Sequence, residues 1–545
     1  MCVTGTRCCG PGPERGSMSI ISVGFVIFAA ALLIVYYLVP KKAQWWVLLA
    51  ASLLFYALGT WRGLIYLAFT SFSAWAAALW IEKDTIAQKA YLRAHKAELS
   101  KEEKTAYRSA GNRRRRRLMA LCMVLSFLIL VWFKYIHFLL AQANAVAGLF
   151  GGRVTDTITF IVPLGLSFYT FQTMGYVADV YWERFPAQKN PLKLLLFTSF
   201  FPQITQGPIS TYQDLGEQLF TPHFLDDRAV VHGGERMLWG FFKKMVVANM
   251  LSPYVRDVFA NYSGYAGAAV LLGAFCYSAQ IYADFSGYMD IMCGYCQMLG
   301  IRLTENFERP YFSKSVAEYW RRWHISLGAW FKTYVYFPIA MARWNQRLGR
   351  NAKKQFGKTF GDYLPATLAL VVVWLATGLW HGASWTYILW GGLNGLFIIA
   401  SLWLEKPFDA LKKHLRIDES AWLWRAFQVL RTFLLVTLIK VLPEVGTLSD
   451  GLGLWGRIFR GPLPNNLAEL IPFADKSGSM ICVLVGVGLM LVVSLLQRRG
   501  SVRELIEKRL PSFPRLLLYA ALFFAIVYYG VPASGGLGGF LYAQF

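Results

Sequence analysis

From about Leu364 to Leu404 the chain runs apolar for about 40 residues, interrupted near its middle by His381. A helix needs about 20 such residues to cross a ~30 Å hydrocarbon core, so this stretch has room for two spans. In lipid every backbone amide must be satisfied within the protein, and only helices and closed barrels achieve that. Apolar runs of about 20 residues select helices. The local sequence around the break is Thr377-Gly-Leu-Trp-His-Gly-Ala-Ser-Trp385, which places a titratable ring at or near membrane depth. Burying such a ring is costly, and by default it marks a functional site. The alternative is a histidine that hydrogen-bonds a helix end and does nothing else. The small and aromatic residues on either side suit a narrow cavity with shaped walls.

The same pattern recurs along the chain. Expected spans are 19–39, 44–60, 63–81, 118–142, 158–180, 266–300, the two in 364–404, then 425–442, 480–497 and 514–531. With 56% hydrophobic residues and a mean hydropathy of +0.40, the fold class is an all-α polytopic membrane protein. The formal charge is +24, but the basic residues lie between the apolar runs. That is the pattern of topogenic charge, and no zinc-finger spacing or aromatic RNA-binding motif points to nucleic acid. Residues 83–117 hold 12 Lys/Arg against 4 Asp/Glu and end in five arginines. They are expected as a cytoplasmic loop, with 498–511 on the same side and 443–479 outside. Residues 1–17, rich in Cys, Gly and Pro, read as an extension before a natural start at Met18.

Between Tyr181 and Phe360 the apolar pieces are short and broken by Gly and Pro. They suit re-entrant or horizontal helices, and irregular backbone at membrane depth is tolerated only where protein or a water-filled cavity satisfies it. A functional site is therefore expected here. His324 lies 57 residues before His381, in Glu318-Tyr-Trp-Arg-Arg-Trp-His-Ile-Ser-Leu-Gly328. As one helix, this segment would place Trp320, His324 and Leu327 or Gly328 on a common face beside Arg321. Upstream stand Asn306-Phe-Glu-Arg-Pro-Tyr311 and Gln280-Ile-Tyr-Ala-Asp-Phe-Ser-Gly-Tyr288, and Asp284 either lines a site or pairs with Arg321. No His-Glu-x-x-His, Walker or Gly-x-Ser-x-Gly motif occurs, so neither a metal nor a nucleotide-hydrolysing engine is expected. Cys293 and Cys296 form a lone Cys-x-x-Cys in an apolar segment, best read as small packing residues.

Five motifs in order carry a family resemblance: Phe201-Pro…Gly207-Pro-Ile209, Tyr282-Ala-Asp-Phe-Ser-Gly-Tyr288, Asn306-Phe…Pro310-Tyr311, Trp320-Arg-Arg-Trp-His-Ile-Ser326 and Leu379-Trp-His-Gly382. Together they resemble the membrane-bound O-acyltransferase (MBOAT) family, in its bacterial branch of alginate O-acetylation proteins and teichoic acid D-alanyl transferases. The likeness covers about Ser19 to Leu404, and it implies a catalytic core over 18–404 with additional transmembrane helices over 405–545. It implies a multi-helix bundle with horizontal helices around a central tunnel, in the bacterial cytoplasmic membrane. It further implies acyl transfer, most simply acetyl, from a cytoplasmic thioester such as acetyl-CoA or an acyl carrier protein to an extracytoplasmic polymer. No tightly bound cofactor is implied. A secreted or membrane-anchored GDSL/SGNH-type partner is usual in the branch.

On that resemblance His381 is the general base, and His324 orients the thioester or holds the oxyanion. Burial in an apolar wall is expected to keep such a base neutral. Arg321 and Arg322, with Lys332, are candidates for donor phosphates. Asp284, Asn306 and Trp380 are further candidates for substrate contact. One departure stands out: where the branch carries an aromatic-Phe-Arg-Ala segment, this chain has Leu438-Ile-Lys-Val-Leu-Pro443. Two rivals remain, D-alanyl transfer from a carrier protein to teichoic acid, and a transporter that uses the same passage without chemistry.

Overall fold

The computed structural model describes residues 18–152, 154, 160, 162–466, 469 and 477–532. The 1–17 extension, the start of the 158–180 span and part of the 443–479 loop lie outside the described residues. Among the described residues the protein is helical throughout, apart from one isolated antiparallel bridge between Phe307 and Trp323. Eight helical stretches are long and apolar enough to cross a membrane, as expected for a multi-pass membrane protein.

Eleven spans were expected, and three differences account for the change. The 44–60 and 63–81 spans join into one helical stretch, Lys41–Ala94. The first helix, Val23–Leu38, has 16 residues, opened by the Ser22 cap and closed before Pro40. The 158–180 span shortens to Leu166–Tyr181, which starts only after Gly165 has turned left-handed at φ 65°.

The chain divides into two compact units. Of the described residues, one holds 18–227 together with 296–304. Here the expected 83–117 loop proves to be largely helix. Leu64–Ala94 runs on beyond its apolar part, and Lys101–Leu130 begins at a Ser100–Glu103 capping box, leaving a turn of only a few residues. Lys, Arg, Glu, Gln and Ala are all strong helix formers. The two helical extensions are tied together because Asp84 accepts from Arg114 and Arg115, and Gln88 accepts from Arg115 at 2.8 Å. The Phe201–Ile209 motif belongs to this unit, where the Phe201 ring packs edge-on against Phe28 at 5.4 Å.

The other unit holds 228–295 and the residues from 305 onward. Its centre contains two close helix pairs. In the first, the helix following Asp227 meets Gly267–Met298 where Gly240 and Gly287 face each other. A Cβ on Gly240 would lie 2.6 Å from the Gly287 carbonyl. In the second, Lys358–His381 packs on Trp385–Trp403, and a Cβ on Gly391 would lie 2.4 Å from the Trp374 carbonyl. Small residues at crossings let helix backbones approach closely, which is how helices associate in a medium that offers no hydrophobic drive. These two crossings set the positions of the charged and aromatic side chains described next.

Candidate functional site

The segment around His324 is not one helix. Ser315 caps Val316–Arg322 by accepting from the Glu318 amide at 3.1 Å, and that helix stops at Trp323. His324 is left-handed, φ 49° and ψ 53°, and a second helix, Ile325–Phe331, follows. The shared face expected for Trp320, His324 and Leu327 is therefore broken at the histidine. Left-handed backbone is uncommon for a residue with a side chain and needs support from its surroundings. Asn306 provides it. Its backbone carbonyl accepts from the Ile325 amide at 3.1 Å, and its side-chain oxygen accepts from the Ser326 amide at 3.0 Å. His324 itself makes no side-chain cap bond, so Asn306 caps the second helix from outside. The Glu308 amide also donates to the Arg322 carbonyl at 3.0 Å.

Asn306 is fully buried. Its replacement by alanine strands the Ser326 amide and should cost about 1–3 kcal/mol. A lower melting temperature in detergent would record that loss, and an unchanged one would show that the turn holds without the amide.

The His324 ring is 1% exposed. Phe285 meets it edge-on at 4.9 Å and Trp380 at 6.0 Å. Burial pulls its pKa from 6.5 down to about 3, so the imidazole is neutral at physiological pH. The unfolded chain binds this proton more readily than the folded one. The stability that the neutral ring contributes is thus complete above pH ~6.5 and declines as pH falls from there toward the folded value.

His381 is the last residue of Lys358–His381, 4% exposed. Its ring lies 4.9 Å from Trp380, 4.8 Å from Trp390 and parallel to Tyr387 at 6.4 Å. Gly382 makes room for that tyrosine, since a Cβ there would sit 2.1 Å from the Tyr387 ring. Behind Trp390 stands Trp320, whose indole donates to Asn394 at 2.9 Å. Both histidines thus contact one indole, Trp380, inside a wall of aromatic rings.

The remaining candidates fall in different places. Asp284 is buried and pairs with Lys244, not with Arg321. Lys244 enters because the Gly240–Gly287 crossing brings its helix against the one that carries Asp284. Arg321 is exposed and makes no ion pair among the described residues, whereas Arg322 pairs with Glu318 at 2.6 Å. Lys332 is exposed, 5.7 Å from the Phe337 ring. Cys293 and Cys296 are buried free thiols. A cavity of about 830 Å3 has Phe307 and Ile325 in its wall, but neither histidine lines it.

One residue passed over as a departure from the family pattern stands beside this site. The Lys440 ammonium lies 4.2 Å over the Trp323 ring, 4.9 Å from Tyr311 and 5.3 Å from Tyr319, and it donates to the Tyr311 hydroxyl at 3.0 Å. The signal was available, because an ionisable residue inside an apolar run is a functional candidate in its own right.

The match to a known family covers the segment that carries both histidines. The model of the family described as "MBOAT, membrane-bound O-acyltransferase family" matches residues 186–439. The chain is similar to the protein named "Probable alginate O-acetylase AlgI" of Azotobacter vinelandii, 36% identical over 321 residues, which cover 59% of this chain and 58% of the relative. It is also similar to the peptidoglycan O-acetyltransferase of Helicobacter pylori, 30% identical over 316 residues, 53% of this chain and 56% of the relative. With the teichoic acid D-alanyltransferase of Bacillus subtilis it shares 26% identity over 246 residues, 45% of this chain and 60% of the relative. The matched stretch spans less than two thirds of each of these relatives. Residues 186–439, which hold His324, His381 and the indole that both contact, match the model of the membrane-bound O-acyltransferase family.

Proposed function

We propose that the protein is a membrane O-acyltransferase that acetylates a hydroxyl of an extracytoplasmic polysaccharide or cell-wall polymer. The supporting observation is the pair of buried imidazoles that both contact Trp380, within the stretch that matches the family model. In this reading His381 takes the hydroxyl proton as the oxygen attacks the thioester carbonyl. The neutral His324 ring has one N–H to donate to the oxyanion that forms. Collapse of the tetrahedral species breaks the carbon–sulfur bond, and the proton held on His381 passes to the departing thiolate. Acetyl is favoured over D-alanyl by the relatives, since those named as O-acetylating proteins match at 36% and 30% identity and the D-alanyl enzyme of Bacillus subtilis at 26%. The protein would sit in the bacterial inner membrane with its thioester donor on the cytoplasmic side, and would work with or without a secreted SGNH-type partner.

The test is to supply proteoliposomes with acetyl-CoA labelled in the acetyl group and follow the label into an added polymer, with a D-alanyl carrier protein as the parallel donor. Label in base-labile ester from acetyl-CoA supports the reading. Transfer from the D-alanyl carrier alone overturns the acetyl assignment, and flux of polymer without ester formation overturns the enzyme.

The donor's phosphates would meet cationic side chains at the cytoplasmic mouth. Arg321 is exposed and unpaired among the described residues, while Arg322 is engaged by Glu318. The apparent Michaelis constant for the thioester should therefore rise more in Arg321→Gln than in Arg322→Gln, with turnover at saturation less affected. Equal, unchanged constants in both variants would remove this segment from the donor site.

A further inference from the structure

The 830 Å3 cavity lies apart from the histidines and falls in the range of about 300–1,000 Å3 typical of small-ligand sites. Its long walls are apolar. Val485 and Leu489 come from one candidate span and Leu522 and Ala525 from the next, and they face Trp239 and Phe242. On the first of these spans the wall runs from Ile481 to Gln497, about 24 Å at 1.5 Å per residue. That exceeds one leaflet, half of a ~30 Å hydrocarbon core. It is long enough to take a headgroup and an acyl chain in one leaflet.

Charged groups line the same cavity. The wall holds three arginines against four carboxylates, a balance that disfavours a polyanion such as a coenzyme A thioester. Two of the carboxylates are balanced: Arg236 donates to Asp290 at 2.8 Å and pairs with Glu305 at 2.6 Å, and Lys243 pairs with Asp290 at 2.6 Å. Two sequence neighbours are not. The Glu308 and Arg309 side chains make no hydrogen bond or ion pair among the described residues. Arg309 is half-buried and left-handed, φ 48°. Strained backbone of this kind persists where surroundings or a ligand require it. A carboxylate and a guanidinium on consecutive residues of an otherwise largely apolar wall complement a headgroup that carries one ammonium and one phosphate.

We propose that this cavity binds one zwitterionic phospholipid, with its phosphate on Arg309, its ammonium on Glu308, and an acyl chain between Trp239 and Phe242 on one side and Leu489 and Leu522 on the other. Ile325, the residue after His324, forms part of the same wall, so the bound lipid touches the turn that carries that histidine. The binding claim does not depend on the acyl-transfer reading, and its test reads binding alone.

The full chain is extracted from nanodiscs of equal phosphatidylethanolamine and phosphatidylglycerol, and the lipid retained in mild detergent is identified by native mass spectrometry. One phosphatidylethanolamine per chain is expected, enriched about tenfold over phosphatidylglycerol, the equivalent of about 1.4 kcal/mol. Ala525→Trp, which fills the slot, should abolish retention. Arg309→Gln, a change at a half-buried polar position that leaves the packing alone, should weaken retention about tenfold by removing one charge-assisted contact. Arg256→Gln, outside the cavity, should change nothing. A photoreactive residue in place of Leu522 should cross-link to lipid. The proposal is overturned by absence of stoichiometric lipid in the parent protein, by retention of phosphatidylglycerol instead, by full retention in both cavity variants, or by a cross-link from position 522 to the chain's own residues 533–545.

Discussion

Alanine at position 381 is expected to reduce acyl transfer by roughly 100- to 10,000-fold, the usual contribution of a general base, while the protein still inserts and folds. The ring packs among Trp380, Tyr387 and Trp390 at the C-terminal end of its helix. Truncation there leaves a small cavity but breaks no helical hydrogen bond, because the Gly382 amide still donates to the Gly378 carbonyl. Expression and detergent stability should stay close to the parent, so the loss should appear in turnover. His324→Ala should also impair transfer but leave a larger residual rate, since a group that stabilises charge without moving the proton is only one contributor to the barrier. Label incorporation per mole of folded protein is the measurement. Near-parental incorporation by a well-folded His381→Ala protein would remove that residue from the chemistry.

The second large effect concerns stability. Lys244→Met is expected to destabilise the protein by about 3–5 kcal/mol, because it deprives the buried Asp284 carboxylate of its counter-charge. Replacing both partners with apolar side chains of similar volume, Lys244→Met with Asp284→Leu, should recover most of that loss, since removing a whole buried pair is often neutral. The comparison is made by thermal unfolding in detergent. If the double variant recovers its melting temperature but not its activity, Asp284 does more than hold the helix crossing. A single variant as stable as the parent would show that the pair contributes nothing to the fold.

The position of Lys244 also shows where reading along the chain stopped being informative. Lys243 and Lys244 lie in a π-helical turn, Phe242–Ala248, and serve different carboxylates. Lys243 pairs with Asp290 at 2.6 Å and Lys244 pairs with Asp284. Nothing in the local sequence distinguishes that arrangement from the Asp284–Arg321 pairing considered first. It follows from the Gly240–Gly287 crossing, a contact between residues 47 positions apart. The bend at His324 was hidden for a related reason. The segment from Val316 to Phe331 has residues acceptable to a continuous helix, and the interruption is imposed by Asn306, which bonds the amides that follow the histidine.

Composition along the chain was sufficient for the membrane class, the Gln44–Thr60 helix, the helical hairpin around His381 and the later spans at 422–444, 481–499 and 512–529. These depend on length and hydropathy, quantities that each stretch carries by itself, because lipid obliges an apolar run of sufficient length to be helical. The basic 83–117 segment, expected as a loop, is largely helix, since charge density reports on solvation and the helices there are tied by pairing of Asp84 with Arg114 and Arg115. Only the tertiary structure decided that both histidines contact Trp380, that Lys440 rests on Trp323, and that Asn306 caps a helix it does not belong to. Each of these is a meeting of side chains far apart in sequence. Such meetings are set by how helices pack, which no single stretch of the chain contains.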